Sequence, residues 1–384
     1  TSLLIGSKRF EKGPFFDFYH NEKFIYGVYA GRFYPVFMDK NHEDMYWALR
    51  QRSVLYDVPE RPIQIEGPQV VDFLEKVFSR RIENLKVGRG RYAIACNHEG
   101  GLFMDGVLFR LEENKFWYVQ PDGALEAWLM AHQTGFDVTI SDPHSRVIQI
   151  QGPKSLDVIK VVTNGTVDEN LKYYQSGFFE IAGQKVYLSR TGWTAELGYE
   201  IYTLGDQTDC KILWDELISK GSPLGMEVDG ILSMETRRIE AGILDNMTDF
   251  DVTMNPFDAG LGALVDLDKN DFIGKDALMK ISQNQNEKKI FGIICDDSFS
   301  YKAKLFNETG SSIGYLSASV WSPSLKKYIA YGRFSEAADW LNKKNIFVEN
   351  ANGEKSPCSV VDLPFYDKQK DIPRGKDTVI PERI

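Results

Sequence analysis

At 384 residues, 43% hydrophobic and 26% charged, the chain has the make-up of a globular protein with core enough for two or three domains. Its formal net charge of −10 leaves no basic excess to release phosphate counterions, which excludes a general nucleic-acid binder. Four scattered cysteines without a CxxC pair, five histidines without HxxxH or HExxH spacing and no apolar run near ~18 residues predict no metal, no disulfide framework, no membrane partner and a cytoplasmic location.

The first forty residues are rich in aromatics, among them Phe15, Phe16, Tyr19, Tyr26, Tyr29 and Tyr34. Met45, Ala48, Leu49 and Arg52 recur at helical spacing and predict a helix over 42–55. A strand at Pro62-Ile63-Gln64-Ile65-Glu66 closes on Gly67-Pro68, and Val70, Val71, Phe73, Leu74 and Val77 form the next helical face. Tyr92–Cys96, a turn with Gly100-Gly101, and Leu102–Phe109 read as a hairpin, with Phe116–Val119 as a third strand. Alternation puts Phe103, Asp105 and Val107 on one face, so Asp105 is either a pocket acid or an outward-facing strand residue.

Strand, Gly-Pro and helix then recur at Val147-Ile148-Gln149-Ile150-Gln151-Gly152-Pro153, about 85 residues after the first copy. Two such copies suggest two related α+β modules rather than a solenoid. In Arg190–Tyr202, two glycines flank a turn carrying Glu196 and an alternating strand follows. That carboxylate is either a solvated hairpin residue or a rigidly held acceptor for an amino-pyrimidine edge. Helices are expected at 211–219 and 228–243, the latter holding Arg237, Arg238 and Glu240 before a C-terminal Gly242. The polar run 282–289 reads as a linker, and short strands at 290–295, 313–320, 328–334 and 345–349 predict a β-rich, barrel-like C-terminal domain.

Taken in order, several segments resemble the folate-dependent aminomethyltransferase superfamily, whose best-known member is the T-protein of glycine cleavage. They include Gly100-Gly101-Leu102-Phe103-Met104-Asp105, Gln151-Gly152-Pro153, Arg190–Ile201, Arg238-Ile239-Glu240-Ala241-Gly242, Asn255–Gly262 and Asp271–Lys275. The aromatic N-terminus, Asp57-Val58 followed by Glu60-Arg61, and Phe116-Trp117-Tyr118 with Asp122-Gly123 look closest to the dimethylsulfoniopropionate demethylase branch. Pro59-Glu60-Arg61 stands where the T-protein pattern has Ser-His-Met.

The resemblance implies an α+β fold, a three-domain cloverleaf in which two related modules and a C-terminal barrel surround a central folate channel. Its domains would be 1–55 with 140–250, 56–139 with 251–281, and 282–384. It implies tetrahydrofolate as cofactor, with Glu196, Trp193, Arg238 and Tyr92 binding it, Asp105 catalytic, and Tyr29, Phe16 and Tyr19 facing the donor. The single Asp105, the aromatic N-terminus and the missing Ser-His-Met favour methyl transfer from a small methylated onium or amine to N5 of tetrahydrofolate. The alternatives are aminomethyl transfer from a lipoyl carrier protein, or a non-catalytic folate-binding protein of the same fold.

Overall fold

The computed structural model describes residues 8–284 and 287–383. Among the described residues, a two-stranded N-terminal hairpin, Ile25–Tyr29 with Arg32–Phe37, two larger open sheets and a closed barrel make up the β-structure. In the six-stranded sheet the order is Ser176–Ile181, Gln184–Ser189, Gly198–Tyr202, Val147–Gln151, Ser53–Val58 and Met226–Val228, antiparallel except for the last pair. The five-stranded sheet runs Arg89–Cys96, Leu102–Glu112, Lys115–Gln120, Arg61–Glu66 and Thr139–Ser141, antiparallel throughout. The strands expected near the C-terminus, joined by Lys304–Phe306 and Lys355–Val361, close into a six-stranded barrel.

Each strand–Gly-Pro–helix copy lies in a different sheet. Arg61–Glu66 leads to the helix Val70–Val77, and Val147–Gln151 leads to the helix Ser155–Val162. Gly67 has φ +140 and Gly152 φ +121, and a Cβ would strike the backbone carbonyls of Asp137 and Arg52 respectively. Only glycine meets both the dihedral and the space. The repeated motif is therefore a steric device that turns a buried strand into a helix packed against its own sheet.

The two sheets meet through a shared apolar layer. Tyr56, Val58, Phe109, Trp117, Tyr187 and Tyr202 belong to it, and Phe109 stands edge-on to Tyr187 with centroids 5.8 Å apart. Leu55, between Val54 and Tyr56, turns instead to the helix-covered face with Ile148 and Ile150. Both faces of Ser53–Val58 are thus buried, which removes the polar–apolar alternation of a half-exposed strand. The helix expected over 42–55 in fact ends at Gln51, and residues 53–55, whose alternation is hidden in this way, are strand. The helix expected over 228–243 is likewise shorter, Leu232–Glu240, and ends before Gly242 at φ +67. The linker expected over 282–289 begins inside the helix Lys275–Asn284, and residues 285 and 286 lie outside the described residues. No described helix is long and apolar enough to cross a membrane.

Candidate active site

Where the sheets, the N-terminal hairpin and the helix Leu232–Glu240 converge, they enclose a cavity of about 360 Å³. Asp105 lies on its wall, placed by the hairpin register. Tyr92 pairs with Val107, and Asp105 is the diagonal neighbour on the same face, so the Tyr92 hydroxyl reaches Asp105 Oδ2. The other oxygen, Oδ1, is buried and accepts no hydrogen bond. Burial pushes the Asp105 carboxyl up to about 7; the Tyr92 hydroxyl opposes this rise and the negative charge of Asp245 adds to it. A carboxyl in that range both holds and surrenders a proton near neutrality.

At another part of the wall, Glu200 and Tyr202 share a face of the strand Gly198–Tyr202. Glu200 accepts hydrogen bonds from Tyr202 Oη at 2.8 Å, Gln149 Nε2 at 2.9 Å and the Thr191 hydroxyl. Burial raises its pKa, and the Thr191, Tyr202 and Ser189 hydroxyls oppose the rise. The loop before it is held by Gln151, which donates to Thr191 O at 3.1 Å and accepts from Thr194 Oγ1 at 2.7 Å. A Cβ at either Gly192 or Gly198 would collide with that glutamine side chain. The two glycines noted in the sequence are there to let Gln151 pass, and the loop so fixed presents Thr191, Gly192 and Trp193 to the cavity.

Glu60, Glu235 and Asp245 also line the cavity, with Tyr29 and Tyr34 from the hairpin Ile25–Tyr29/Arg32–Phe37. Glu235 is held at 2.6 Å by Arg238. Asp245 is pushed up to about 6 by burial, against the pull of the Arg238 charge. Among the described residues lining the cavity, none is Lys, Arg or His.

The structure brings together four of the residues singled out in the sequence: Tyr29, Tyr92, Asp105 and Trp193. The other four stand elsewhere. Glu196 is sealed in the interior between Arg50 at 2.5 Å and Arg237 at 2.6 Å, outside the cavity lining. The carboxylate facing the cavity from that segment is Glu200, four residues on. Arg238 lies behind Trp193, its guanidinium 5.2 Å from the ring, and is engaged by Glu235, Asp249 and the Ile243 carbonyl. Phe16 stacks on His20 at 4.5 Å, and Tyr19 donates to Asp57 at 2.7 Å beside Trp214; neither lines the cavity.

Sequence reasoning passed over Glu200, Glu235 and Asp245 as site residues and used Glu60 only for family resemblance, giving it no role in the site. For Glu200 a signal was present, since a Glu and a Tyr two apart on an otherwise apolar strand mark a polar face that must satisfy itself. No group of three or more His, Cys, Asp or Glu among the described residues could hold a metal.

Comparison with known proteins agrees with this architecture. The family model described as the GCVT N-terminal domain matches residues 19–269, and the glycine cleavage T-protein C-terminal barrel domain matches residues 288–367. The chain therefore belongs to the glycine cleavage T-protein family. Relatives named aminomethyltransferase include one from Saccharopolyspora erythraea, 30% identical over 83% of this chain and 88% of its own. Another, from Caldanaerobacter subterraneus, is 28% identical over 93% of this chain and 96% of its own. The crystal structure of the glycine cleavage system aminomethyltransferase T from Bartonella henselae shares the fold, with a TM-score of 0.84 at 24% identity over 93% of this chain and 98% of that one. Membership makes this chain a tetrahydrofolate-dependent one-carbon transferase.

Proposed function

We propose that the enzyme moves an aminomethyl carbon, presented on a lipoyl carrier protein, to tetrahydrofolate, releasing ammonia and the carrier thiol and leaving 5,10-methylene-tetrahydrofolate. The observation that carries this reading is Asp105, a buried carboxyl near pKa 7 with one oxygen unpartnered and a second acid, Asp245, acting on it. Ammonia leaves only when its nitrogen is protonated, and such a carboxyl can supply that proton. The names of the relatives point the same way. The preference for methyl transfer rested partly on Asp105 being a lone acid, and the cavity wall carries five carboxyl groups.

Tetrahydrofolate supplies the two amine nitrogens that take up the carbon. An orphaned acceptor on the wall suits a ligand rich in N–H donors: Asp105 Oδ1 is buried without a partner. Glu200 is the residue we assign to the pterin edge, because its Oε1 accepts only from Gln149 and keeps a lone pair for a ligand N–H, while the hydroxyls of Thr191 and Tyr202 steady Oε2. Trp193, Val107 and Val119 supply flat and apolar wall that excludes water from the reacting atoms.

A second reading is transfer of a methyl group from a small onium or methylated amine, such as dimethylsulfoniopropionate. Tyr29 and Tyr34 support it, standing edge-to-face at 6.3 Å on the wall, since aromatic faces hold cations. Incubation with tetrahydrofolate and a donor panel separates the two. The panel holds aminomethyl-lipoyl carrier, dimethylsulfoniopropionate, glycine betaine, dimethylglycine and sarcosine. Methylene product with the carrier alone is the expected result; 5-methyl product from a small donor replaces it with the second reading.

A further inference from the structure

Glu60 is the wall residue for which the reaction described above has no use. It sits on the Pro59-Glu60 link between Ser53–Val58 and Arg61–Glu66, where its backbone carbonyl accepts from Arg32 Nη1 at 2.8 Å. Within its carboxylate, Oε2 is cut off from solvent and accepts no hydrogen bond. The fold therefore anchors the main chain and leaves one carboxylate oxygen at the cavity wall without a partner. Leaving a buried carboxyl unmatched is costly, so a position that keeps one calls for a ligand that matches it.

The surroundings state the charge of that ligand. Tyr29 and Tyr34 line the same cavity, and the negative charges of Glu60 and Asp245 reach both rings. Two aromatic faces beside a carboxylate make a site for a cation. A ligand carboxylate would instead meet Glu60, Glu235 and Asp245, with no Lys, Arg or His among the described lining residues to receive it.

We infer that Glu60, with the rings of Tyr29 and Tyr34, takes the positively charged end of a one-carbon donor that bears no carboxylate of its own. This rests on the one-carbon transfer proposed above and narrows its donor: an aminomethyl ammonium fits, and zwitterions such as betaines and N-methylated amino acids do not. Burial pushes the Glu60 carboxyl up to about 8; the Glu200 charge adds to the rise, and a hydrogen bond from its own backbone and the Arg32 charge oppose it. A cation arriving beside it therefore drives a proton off, and uptake of the donor is coupled to proton release.

The test is calorimetric titration of the full chain with tetramethylammonium and with glycine betaine, a pair that differs by a carboxylate, in two buffers of different ionisation enthalpy at pH 7. Expected are binding of tetramethylammonium about tenfold or more tighter than betaine, with a proton released. Glu60→Gln should lose both the preference and the proton, and Glu60→Asp should keep them in weakened form. Betaine binding as tight as tetramethylammonium, or Glu60→Gln binding like the parent, overturns the inference. The donor panel reports separately. Methylene product formed equally by parent and Glu60→Gln would leave the transfer reaction standing and the Glu60 site refuted. Cation binding lost in Glu60→Gln, with no product from any donor, would refute the reaction and leave the cation site.

Discussion

Arg237 and Glu196 form an ion pair at 2.6 Å that is closed to solvent, their side chains 0% and 2% exposed. Arg50 joins the same carboxylate oxygen from the helix His42–Gln51, and the Tyr366 ring lies over both guanidinium groups, 5.7 Å from Arg50 and 4.7 Å from Arg237. Glu196 thus ties the first long helix to the helix Leu232–Glu240, with the C-terminal segment laid across the knot. Removing Glu196 leaves Arg50 without its carboxylate while Arg237 keeps Glu240, and breaking a buried pair costs roughly 3–5 kcal/mol. Glu196→Ala should lower the free energy of unfolding in urea by about that much, and the midpoint with it, with Glu196→Gln intermediate. An unchanged midpoint accompanied by selective loss of tetrahydrofolate binding would return Glu196 to the cofactor site.

Glu200 carries the opposite expectation. Glu200→Gln preserves shape and the neighbouring hydroxyls, and loses the charged acceptor. A charge-assisted hydrogen bond contributes about 1.5–3 kcal/mol, so tetrahydrofolate affinity should fall roughly tenfold to a hundredfold. Titration calorimetry measures it, and affinity within twofold of the parent would remove Glu200 from the site.

Asp105→Asn should lower kcat by a factor of about 10² to 10⁴, the usual worth of a positioned acid, while tetrahydrofolate binding changes little. Because the acid must carry its proton, kcat in the parent should decline as pH rises through about 7. Tyr92→Phe removes the hydroxyl that holds this carboxyl down, so the same limb should move to higher pH. A pH–rate profile identical in parent and Tyr92→Phe would exclude Asp105 as the titrating group.

Stability should depend on pH in an unusual sense. Burial pushes Asp57 and Asp105 up to about 7 and Glu60 up to about 8, against about 4 for carboxyls in the unfolded chain. Each binds its proton more tightly when folded, so between those limits the unfolded chain holds fewer protons and stability falls as pH rises. Asp105→Asn should therefore raise Tm at pH 8, where the parent pays the full ionisation cost, and the gain should shrink toward pH 4. A gain independent of pH would separate the effect from titration.

Much of the scaffold was legible from local pattern. The hairpin of Tyr92 and Asp105, the two Gly-Pro turns and the barrel strands each rest on alternation or on a dihedral that only glycine supplies, and neighbours in sequence carry that information. Residues 53–55 were read as helix because burial on both faces of Ser53–Val58 erases the alternation.

The segment Arg190–Tyr202 marks the boundary most sharply. Its glycines and its alternating strand announced a rigid loop at a sheet end, and that loop stands at the cavity. Which of its two glutamates faces the cavity was beyond sequence, because the choice depends on partners far along the chain. Arg50 and Arg237, 146 and 41 residues away, neutralise Glu196 and draw it into the interior. Glu200 faces the cavity because its strand pairs with Val147–Gln151 in one register only. The sequence by itself determined where the chain turns and which acids it carries; only the tertiary structure decided which of them are spent on arginines and which are left for a ligand, since charge pairing and burial are set by contacts that no local pattern records.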